Sequence, residues 1–422
     1  MKFLFFPPAD AERPAPPPAH RLAGVLLTLL AMALSAWAFT QVPRGLTEHP
    51  LPTPPNFPYN AWFQADAERV LQDLTLVEAE RWRSHFHPNF TILFGAPVQL
   101  ATWLGVPPFA AAAASVVLAA GGSTWLCYLL GSYLGLRTVG ATLLTLCWLS
   151  SATFLHWYSV VETFSWGGVS TFAVLGCLAR PASPRKAWWV LAHLLAFSVT
   201  ITNWGSALVA TAVRVPWRRA LVIGLLFGAV ALALNGVQKW IYPKSVTFFQ
   251  PMLMRGEAKT YRAAPPGSVV RVFFAHSMVA PVPVVEKREY QVITNQFVSL
   301  GAHRWLGWVA LAAWWGLLLL GIWTLLRGQV VPGWFALGLG GMLLGQLLLH
   351  LVYGELTFLY TAHFMPMLLV LAGVGFAGKW RRVALGLAAM FVCMGGVNSY
   401  LVFRQATQLA AVIVEPTVPP PR

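Results

Sequence analysis

A series of apolar runs long enough to cross a bilayer is the feature that most constrains how this chain can fold. Hydrocarbon offers no water to satisfy backbone N–H and C=O groups, so such runs are expected to be α-helices. The composition agrees, because 57% of the 422 residues are hydrophobic, only 10% are charged, and the mean hydropathy is +0.62. We therefore expect an all-α polytopic membrane protein with about eleven transmembrane helices, at residues 22–39, 108–134, 138–156, 162–179, 187–203, 204–214, 220–238, 303–326, 331–353, 359–377 and 383–402.

Basic residues set the expected orientation of these spans. Lysine and arginine outnumber aspartate and glutamate by 29 to 14. In a membrane protein this excess is typical of the positive-inside signal rather than of nucleic-acid binding, and outside basic groups can also hold an anionic lipid head group. The apolar segment His87–Gly105 is interrupted by Pro88 and Pro97, so we interpret it as half-inserted at the interface. The amino terminus is then inside, the carboxyl terminus is outside, and the following basic residues are cytoplasmic: Arg137, Arg180, Arg185, Lys186, Arg214, Arg218, Arg219, Arg327, Lys379, Arg381 and Arg382.

The predicted spans divide the chain into four parts. The run Leu22–Phe39 is interpreted as a signal anchor, and its alternative is a cleaved signal peptide, because Ala36-Trp37-Ala38 resembles a cleavage site. The parts are a proline-rich disordered cytoplasmic tail (1–21), a transmembrane core (22–238) with a first extracytoplasmic loop (43–105), a second extracytoplasmic loop (239–302), and the last helices with a short tail (303–422).

The polar segment Asn60–Pro97, in the first loop, contrasts with the rest of the chain. A protein that collects ionisable groups beside a membrane and keeps them out of its spans is expected to do chemistry there or to bind a charged ligand. The segment contains Asp66, Arg69, Asp73, Glu78, Glu80, Arg81, Arg83, His85 and His87.

Periodicity predicts an amphipathic helix on the membrane surface over Asn60–Glu78. Arg69 follows Asp66 by three residues and precedes Asp73 by four, so it can pair with either carboxylate. Asp66 and Asp73 are the leading acidic candidates, because a carboxylate can deprotonate an attacking hydroxyl. The alternative is a solvated helix face neutralised by Arg69. At 100° per residue, the apolar face consists of Phe63, Val70, Leu74 and Val77.

The run His85-Phe86-His87-Pro88 follows Arg81 and Arg83. Histidine is a common metal ligand, but spacing of two residues suits an extended chain, and no third ligand is evident nearby. A divalent metal therefore stays an alternative, and we expect no cofactor. We favour these histidines and arginines as contacts for an anionic head group, with Pro88 starting the next helix.

Four further polar residues fall at the outer edges of spans. Glu162 is the first residue of one predicted span, and the alternative is that its side chain is only solvated by water. Asn203 follows Thr200-Ile201-Thr202, and its alternative role is an interhelical hydrogen bond. Glu355 and His363 share another outer edge, where the alternative is an interfacial aromatic belt. No Walker loop, no GxGxxG after a strand and no CxxC pair is present, so a cytosolic nucleotide site is not expected.

Three features following a transmembrane anchor carry a resemblance to a known family. They are Asp66 within Ala65-Asp66-Ala67-Glu68-Arg69-Val70, the run Arg83-Ser84-His85-Phe86-His87-Pro88-Asn89-Phe90, and Glu162 at the start of a span. Together they resemble the GT-C superfamily of membrane glycosyltransferases, in the branch of the protein O-mannosyltransferases and the lipid A aminoarabinose transferase. The resemblance covers about the first 210 residues. The sequence departs from the mannosyltransferases at Ala67, where no second acid follows Asp66.

The resemblance implies an inverting sugar transfer at the outer face of the cytoplasmic membrane. The donor would be a polyprenyl-phosphate sugar, and Asp66 would be the general base that activates the hydroxyl of a glycan, lipid or protein acceptor. Basic residues of both outside loops would hold the lipid phosphate. Two alternatives from other classes stay open: a lipid or small-molecule transporter or flippase, and a non-catalytic protein of envelope assembly. Transporters place ionisable groups near the midplane, whereas this chain carries them at the edges.

Overall fold

The computed structural model of the protein describes residues 18–46, 60–182, 184–247, 263–287, 291–328 and 330–414. The expected cytoplasmic tail lies outside the described residues except for Pro18–Arg21, which form the first turn of a helix. Most of the proline-rich stretch of the first loop also lies outside them, as do the basic residues Arg255, Lys259 and Arg262 of the second loop and the carboxyl-terminal tail.

Helices form most of the described chain, and several of them are long and apolar enough to cross a membrane. Within that part, three shorter apolar helices, Thr138–Leu149, Ser165–Ala179 and Lys186–Val199, accompany the long ones, and Ile201–Arg214 follows them. The protein is an all-α polytopic membrane protein, as predicted. The part of the chain that the structure describes contains seven long apolar helices: Pro18–Gln41, Pro108–Tyr133, Trp217–Ile241, Trp305–Leu326, Gly333–Val352, Thr357–Ala377 and Arg381–Val414.

Short elements connect the long helices. The sequence reasoning did not predict the small antiparallel hairpin, in which Val284 pairs with Thr294. The short helices are Ala67–Thr75, Ala96–Trp103, Ala152–Trp157 and Pro266–Arg271. The π-helical turns are Thr91–Gly95 and Val272–His276, and the strands are Val284–Lys287 and Gln291–Thr294. The 3₁₀ turns are Arg44–Leu46, Trp82–His85, Leu300–Ala302, Thr357–Tyr360 and Gly375–Ala377.

The chain after His87 forms one short helical segment, and it is not interrupted at Pro97 as the sequence predicted. The π-turn Thr91–Gly95 continues into the eight-residue helix Ala96–Trp103. Together these residues extend about 20 Å at 1.5 Å per residue, which is less than the thickness of the hydrocarbon core, about 30 Å. Trp103 and Leu104 are exposed at its end. The segment is too short to cross as a straight helix, in agreement with a half-inserted position.

Helix Thr361–Val374 lies at the centre of the bundle, and all of its residues are buried. Helix Trp305–Leu326 crosses it at Gly321, where an added Cβ would lie 2.0 Å from the carbonyl oxygen of Leu371. Only a residue without a side chain allows the two backbones to approach this closely. Gly321 therefore sets the spacing of these two helices where they cross.

The two ends of the helices differ in charge. At one end the first loop reaches Glu162, Ile201 and Ile293 through hydrogen bonds, so these connections lie on one side. Every Asp and Glu that the structure describes belongs to this end: Asp66, Glu68, Asp73, Glu78, Glu80, Glu162, Glu286 and Glu355. Arg214 joins Arg180 and Trp334 at the other end, where the charged residues in the described ranges are all basic.

The helix predicted over Asn60–Glu78 is shorter, Ala67–Thr75. Asn60, Phe63 and Gln64 have positive φ angles, which a helix does not allow, so the chain turns before Asp66. Phe63 is buried in the bundle rather than on the helix face, and Val77 is exposed. Val70 and Leu74 remain as the buried apolar stripe and pack on Phe90 and Phe94. The predicted apolar face was therefore half wrong.

We predict that Glu78 and Ala182, both exposed, lie on opposite sides of the membrane. In a Cys393→Ser background, which removes the one exposed native cysteine, single Glu78→Cys and Ala182→Cys variants are placed in sealed vesicles of one orientation. A membrane-impermeant maleimide should label only one of the two until the vesicles are opened. Labelling of both from the same side would contradict the fold.

Candidate active site

The turn before Asp66 is anchored on both sides. The Trp62 indole N–H donates to the His156 carbonyl oxygen at 3.1 Å, and the Phe63 ring packs on the His156 ring at 4.9 Å between centroids. The Ile293 backbone N–H donates to the Ala61 carbonyl oxygen at 2.9 Å. These contacts connect the first loop to the helical body and to the second loop. They fix the position at which Asp66 starts its short helix.

The Asp66 carboxylate is held through one of its two oxygens. Oδ2 accepts from Arg83 Nη1 at 2.7 Å and from Arg69 Nε at 3.2 Å, with Arg69 Nη2 also at 3.2 Å. Within the described residues, Oδ1 accepts no hydrogen bond from the protein. The side chain is 21% exposed. Asp66 therefore has a fixed orientation and one oxygen open to a ligand.

Glu162 holds the backbone of Asp66 in place. It lies in the connection before helix Ser165–Ala179 and is 1% exposed. Its Oε2 accepts from the Asp66 backbone N–H at 2.6 Å, and its Oε1 accepts from the backbone N–H and hydroxyl of Thr163, each at 2.6 Å. Burial and the nearby Asp66 charge raise the pKa of the Glu162 carboxyl, while Arg69 and Thr163 oppose the change. Glu162 thus positions the backbone that carries Asp66.

Arg69 pairs with both Asp66 and Asp73, as its spacing predicted. Its Nη1 donates to Asp73 Oδ2 at 2.9 Å while its other nitrogens face Asp66. Asp73 is buried, and its Oδ1 lacks a partner in the described part of the chain. Burial raises the pKa of Asp73, and the charges of Arg69 and Arg81 oppose this. Asp66 is the more open of the two acids, with 21% of its side chain exposed against 10% for Asp73.

Arg81 is turned away from Asp66 and supports the helix from its end. It is 1% exposed, and its guanidinium lies over the Tyr242 ring, 4.3 Å from the centroid. Helices leave their last carbonyls without intrahelical partners, and Arg81 supplies donors to them and to the chain that follows. The accepting carbonyls belong to Asp73, Leu76, Val77 and Ala79. This geometry gives Arg81 a structural role instead of the ligand contact we predicted.

The two histidines of the His-Pro run face different surroundings. His85 Nδ1 lies 2.5 Å from the Trp82 carbonyl oxygen, within its own turn. His87 Nδ1 lies 2.5 Å from the Val199 carbonyl oxygen, so this nitrogen carries the proton and Nε2 carries the lone pair. Burial and the charge of Arg69 lower the pKa of His87 well below its usual value. His87 is therefore neutral at pH 7 and cannot supply a positive charge.

An aromatic cluster extends from His87 to His363. The Phe164 ring lies 6.3 Å from the His87 ring, 5.2 Å from the His363 ring and 5.1 Å from the Tyr360 ring, centroid to centroid. The Tyr360 ring contacts the His350 ring at 5.1 Å. His350 and His363 are buried, and none of their ring nitrogens has a partner among the described residues. Of this cluster, the sequence predicted His87 and His363 as site residues but not Phe164, Tyr360 or His350. His350 could have been found from the sequence, because it is a single histidine near the end of an apolar helix.

Asn203 and Glu355 are less closely connected to Asp66. Asn203 Nδ2 donates to Ser170 Oγ at 2.7 Å, which is the interhelical hydrogen bond considered as its alternative role. Glu355 is half-buried, next to Gly354, whose carbonyl oxygen accepts from the Ala264 backbone N–H at 3.4 Å. Glu355 therefore lies beside the second loop.

The chemistry of the site follows from Asp66, Arg69 and Arg83. An ionised carboxylate with one open oxygen can accept a proton from a hydroxyl. The two guanidiniums can bind an anion through charge-assisted hydrogen bonds. Across the described ranges, no group of three or more His, Cys, Asp or Glu side chains is arranged to hold a metal ion.

Comparison with known proteins adds no relatives. No family model, no curated protein and no solved structure matches the chain. The resemblance to membrane glycosyltransferases therefore stays a prediction based on short motifs.

We predict that Arg81 and Arg83 have different roles. Arg81→Ala removes the donors to four carbonyls at a buried site and should lower the free energy of unfolding by roughly 3 kcal/mol. Arg83→Ala should cost much less, because Arg83 is partly exposed and its contact with Asp66 is screened by water. Thermal unfolding of the two purified variants measures the difference. Equal melting temperatures would refute the structural role of Arg81.

Proposed function

We propose that the protein is a membrane glycosyltransferase that transfers a sugar from a polyprenyl-phosphate donor to an acceptor hydroxyl, with Asp66 as the general base. The observation that carries this proposal is the half-open carboxylate. Asp66 Oδ2 is held by Arg69 and Arg83, while Oδ1 is open and the side chain is 21% exposed. A base must keep one oxygen free for the proton that it removes, and this carboxylate does.

The surroundings of the site support a lipid-linked donor. A polyprenyl chain extracted from the bilayer would lose about 0.8 kcal/mol per CH₂, so an enzyme for such a substrate is expected to act at the membrane surface. Exposed apolar side chains surround the Asp66 loop: Leu76, Val77, Trp82, Leu100, Trp103 and Leu104. This apolar rim supports contact with lipid beside the charged cluster.

Arg69 and Arg83 provide the positive charge that would stabilise the leaving phosphate. When the bond from the sugar to the phosphate breaks, negative charge increases on the phosphate oxygens. Arg69 and Arg83 are held in place by Asp66 and Asp73, so they need little reorganisation to stabilise that charge. In this mechanism the acceptor oxygen attacks the anomeric carbon, its proton passes to Asp66, and the polyprenyl phosphate leaves with the bonding electrons.

The membrane arrangement belongs to the same proposal. We infer about eleven transmembrane helices in the cytoplasmic membrane, with the basic end of the bundle inside and the acidic end outside. Labelling of the Glu78→Cys variant in intact cells would support this orientation. The described acids all lie outside the long helices, which favours chemistry at the surface over transport through the bilayer.

We predict that Asp66→Asn lowers sugar transfer roughly 100-fold or more, because the amide keeps the shape of the carboxylate but cannot take a proton. The measurement is release of free polyprenyl phosphate from a panel of polyprenyl-phosphate-linked hexoses and pentoses in membranes that contain the protein.

Glu78→Gln provides the matched control, since Glu78 is an exposed carboxylate of the same loop. It should retain full activity. Full activity of Asp66→Asn would remove Asp66 from the mechanism, and no release from any donor by the unaltered protein would remove the proposed function.

A further inference from the structure

A second group of buried polar side chains lies in the second loop, apart from Asp66. It consists of His276, at the end of a π-helical turn, Asn295, just after the hairpin, and His303, just before helix Trp305–Leu326. His276 and Asn295 are fully buried and His303 is 7% exposed. The His276 and His303 ring centroids are 5.6 Å apart.

The hydrogen bonding of His276 fixes its tautomer. Its Nδ1 lies 3.1 Å from the backbone oxygen of Asn295, which can only accept, so Nδ1 carries the proton. Its Nε2 then carries a lone pair, is buried, and has no partner in the described part of the protein. Something that donates a hydrogen bond is needed at this atom.

His303 and Asn295 also carry buried polar atoms without a hydrogen-bond partner in the described part of the protein. Neither ring nitrogen of His303 and neither side-chain atom of Asn295 has a partner among the described residues. Burial lowers the pKa of His276 to about 3 and of His303 to about 4, so both rings are neutral at pH 7. Together the three side chains present donors and acceptors in similar number. Buried polar atoms are usually paired, so five such atoms in one loop indicate a missing partner.

The donors, acceptors and neutral charge of these three side chains determine which class of ligand they can bind. An anion can only accept and would face the lone pair of His276 Nε2 without a donor for it. A divalent cation would be buried with neutral ligands and beside the positive charge of Arg271, which acts on His276. A hydroxyl group both donates and accepts, and therefore suits a neutral imidazole and an amide together.

Two observations connect this group to its surroundings. The turn Leu300–Ala302 lies beside His303 and reaches the surface at Gly301, which is exposed. Asn295 follows Ile293 by two residues, and Ile293 is hydrogen-bonded to Ala61 in the loop that carries Asp66. A ligand held by the second loop would therefore lie next to the first.

We propose that His276, Asn295 and His303 bind the hydroxyl groups of an uncharged saccharide, which serves as the acceptor. The role as acceptor rests on the proposed glycosyl transfer, whereas the binding itself does not depend on it.

The test is equilibrium dialysis of the full-length protein in nanodiscs against radiolabelled methyl glycosides of mannose, glucose and galactose, with inorganic phosphate and Zn²⁺ as comparators. At least one glycoside should bind saturably, and His303→Phe should weaken it tenfold or more. His303→Gln retains a donor and an acceptor and should bind better than His303→Phe. Arg304→Gln, an exposed neighbour, should leave binding unchanged.

Several results would overturn the proposal: no glycoside binds, only phosphate or Zn²⁺ binds, or His303→Phe binds like the unaltered protein while the melting temperatures agree. Asn295→Leu gives a second, independent variant if His303→Phe does not fold. Asp66→Asn separates the two proposals, because it should abolish transfer and leave glycoside binding intact. Loss of glycoside binding in His303→Phe, together with no release of polyprenyl phosphate by the unaltered protein, would keep the saccharide site and remove the proposed reaction.

Discussion

The salt bridges of Asp66 with Arg69 and Arg83 are the interaction on which the rest of this site depends. At the edge of hydrocarbon, an isolated charge is costly, so each ionised group needs a partner or water. Asp66 shares Oδ2 with both arginines, and Arg69 extends the network to Asp73. The same contacts that make the charges tolerable hold one carboxylate oxygen and two guanidiniums in fixed positions.

The loops position this network because they are connected to one another. The first loop is fastened to His156 through Trp62, to Glu162 through the Asp66 backbone, and to the second loop through Ala61. Arg81 completes the arrangement by holding the end of the short helix. Such contacts replace the regular structure that the loops lack. They also connect the chain just before Asn295, through Ile293, to the loop that carries Asp66.

Much of this arrangement followed from sequence, and the part that did not has a physical reason. Apolar length gave most of the helices within a few residues, and the spacing of Asp66, Arg69 and Asp73 gave their pairing. Two spans were wrong: the last helix continues to Val414 instead of ending at residue 402, and the predicted span 138–156 is divided into Thr138–Leu149 and Ala152–Trp157. Arg81 was assigned to a ligand because sequence shows charge but not the carbonyls around it. The predicted helix began too early, at Asn60, because the positive φ angles of Asn60, Phe63 and Gln64 depend on tertiary contacts of Phe63. His350 enters the cluster only through packing between distant helices.

Direct binding of polyprenyl phosphate to the purified protein in nanodiscs tests the central claim most closely, because it needs neither the sugar nor the acceptor. Saturable binding is expected, with affinity about tenfold lower for Arg83→Ala, which removes one charge-assisted contact. Lys244→Gln removes a charge that pairs with Glu80 outside the cluster, and it should bind like the unaltered protein. Absence of saturable binding, or an equal loss in both variants, would contradict the account.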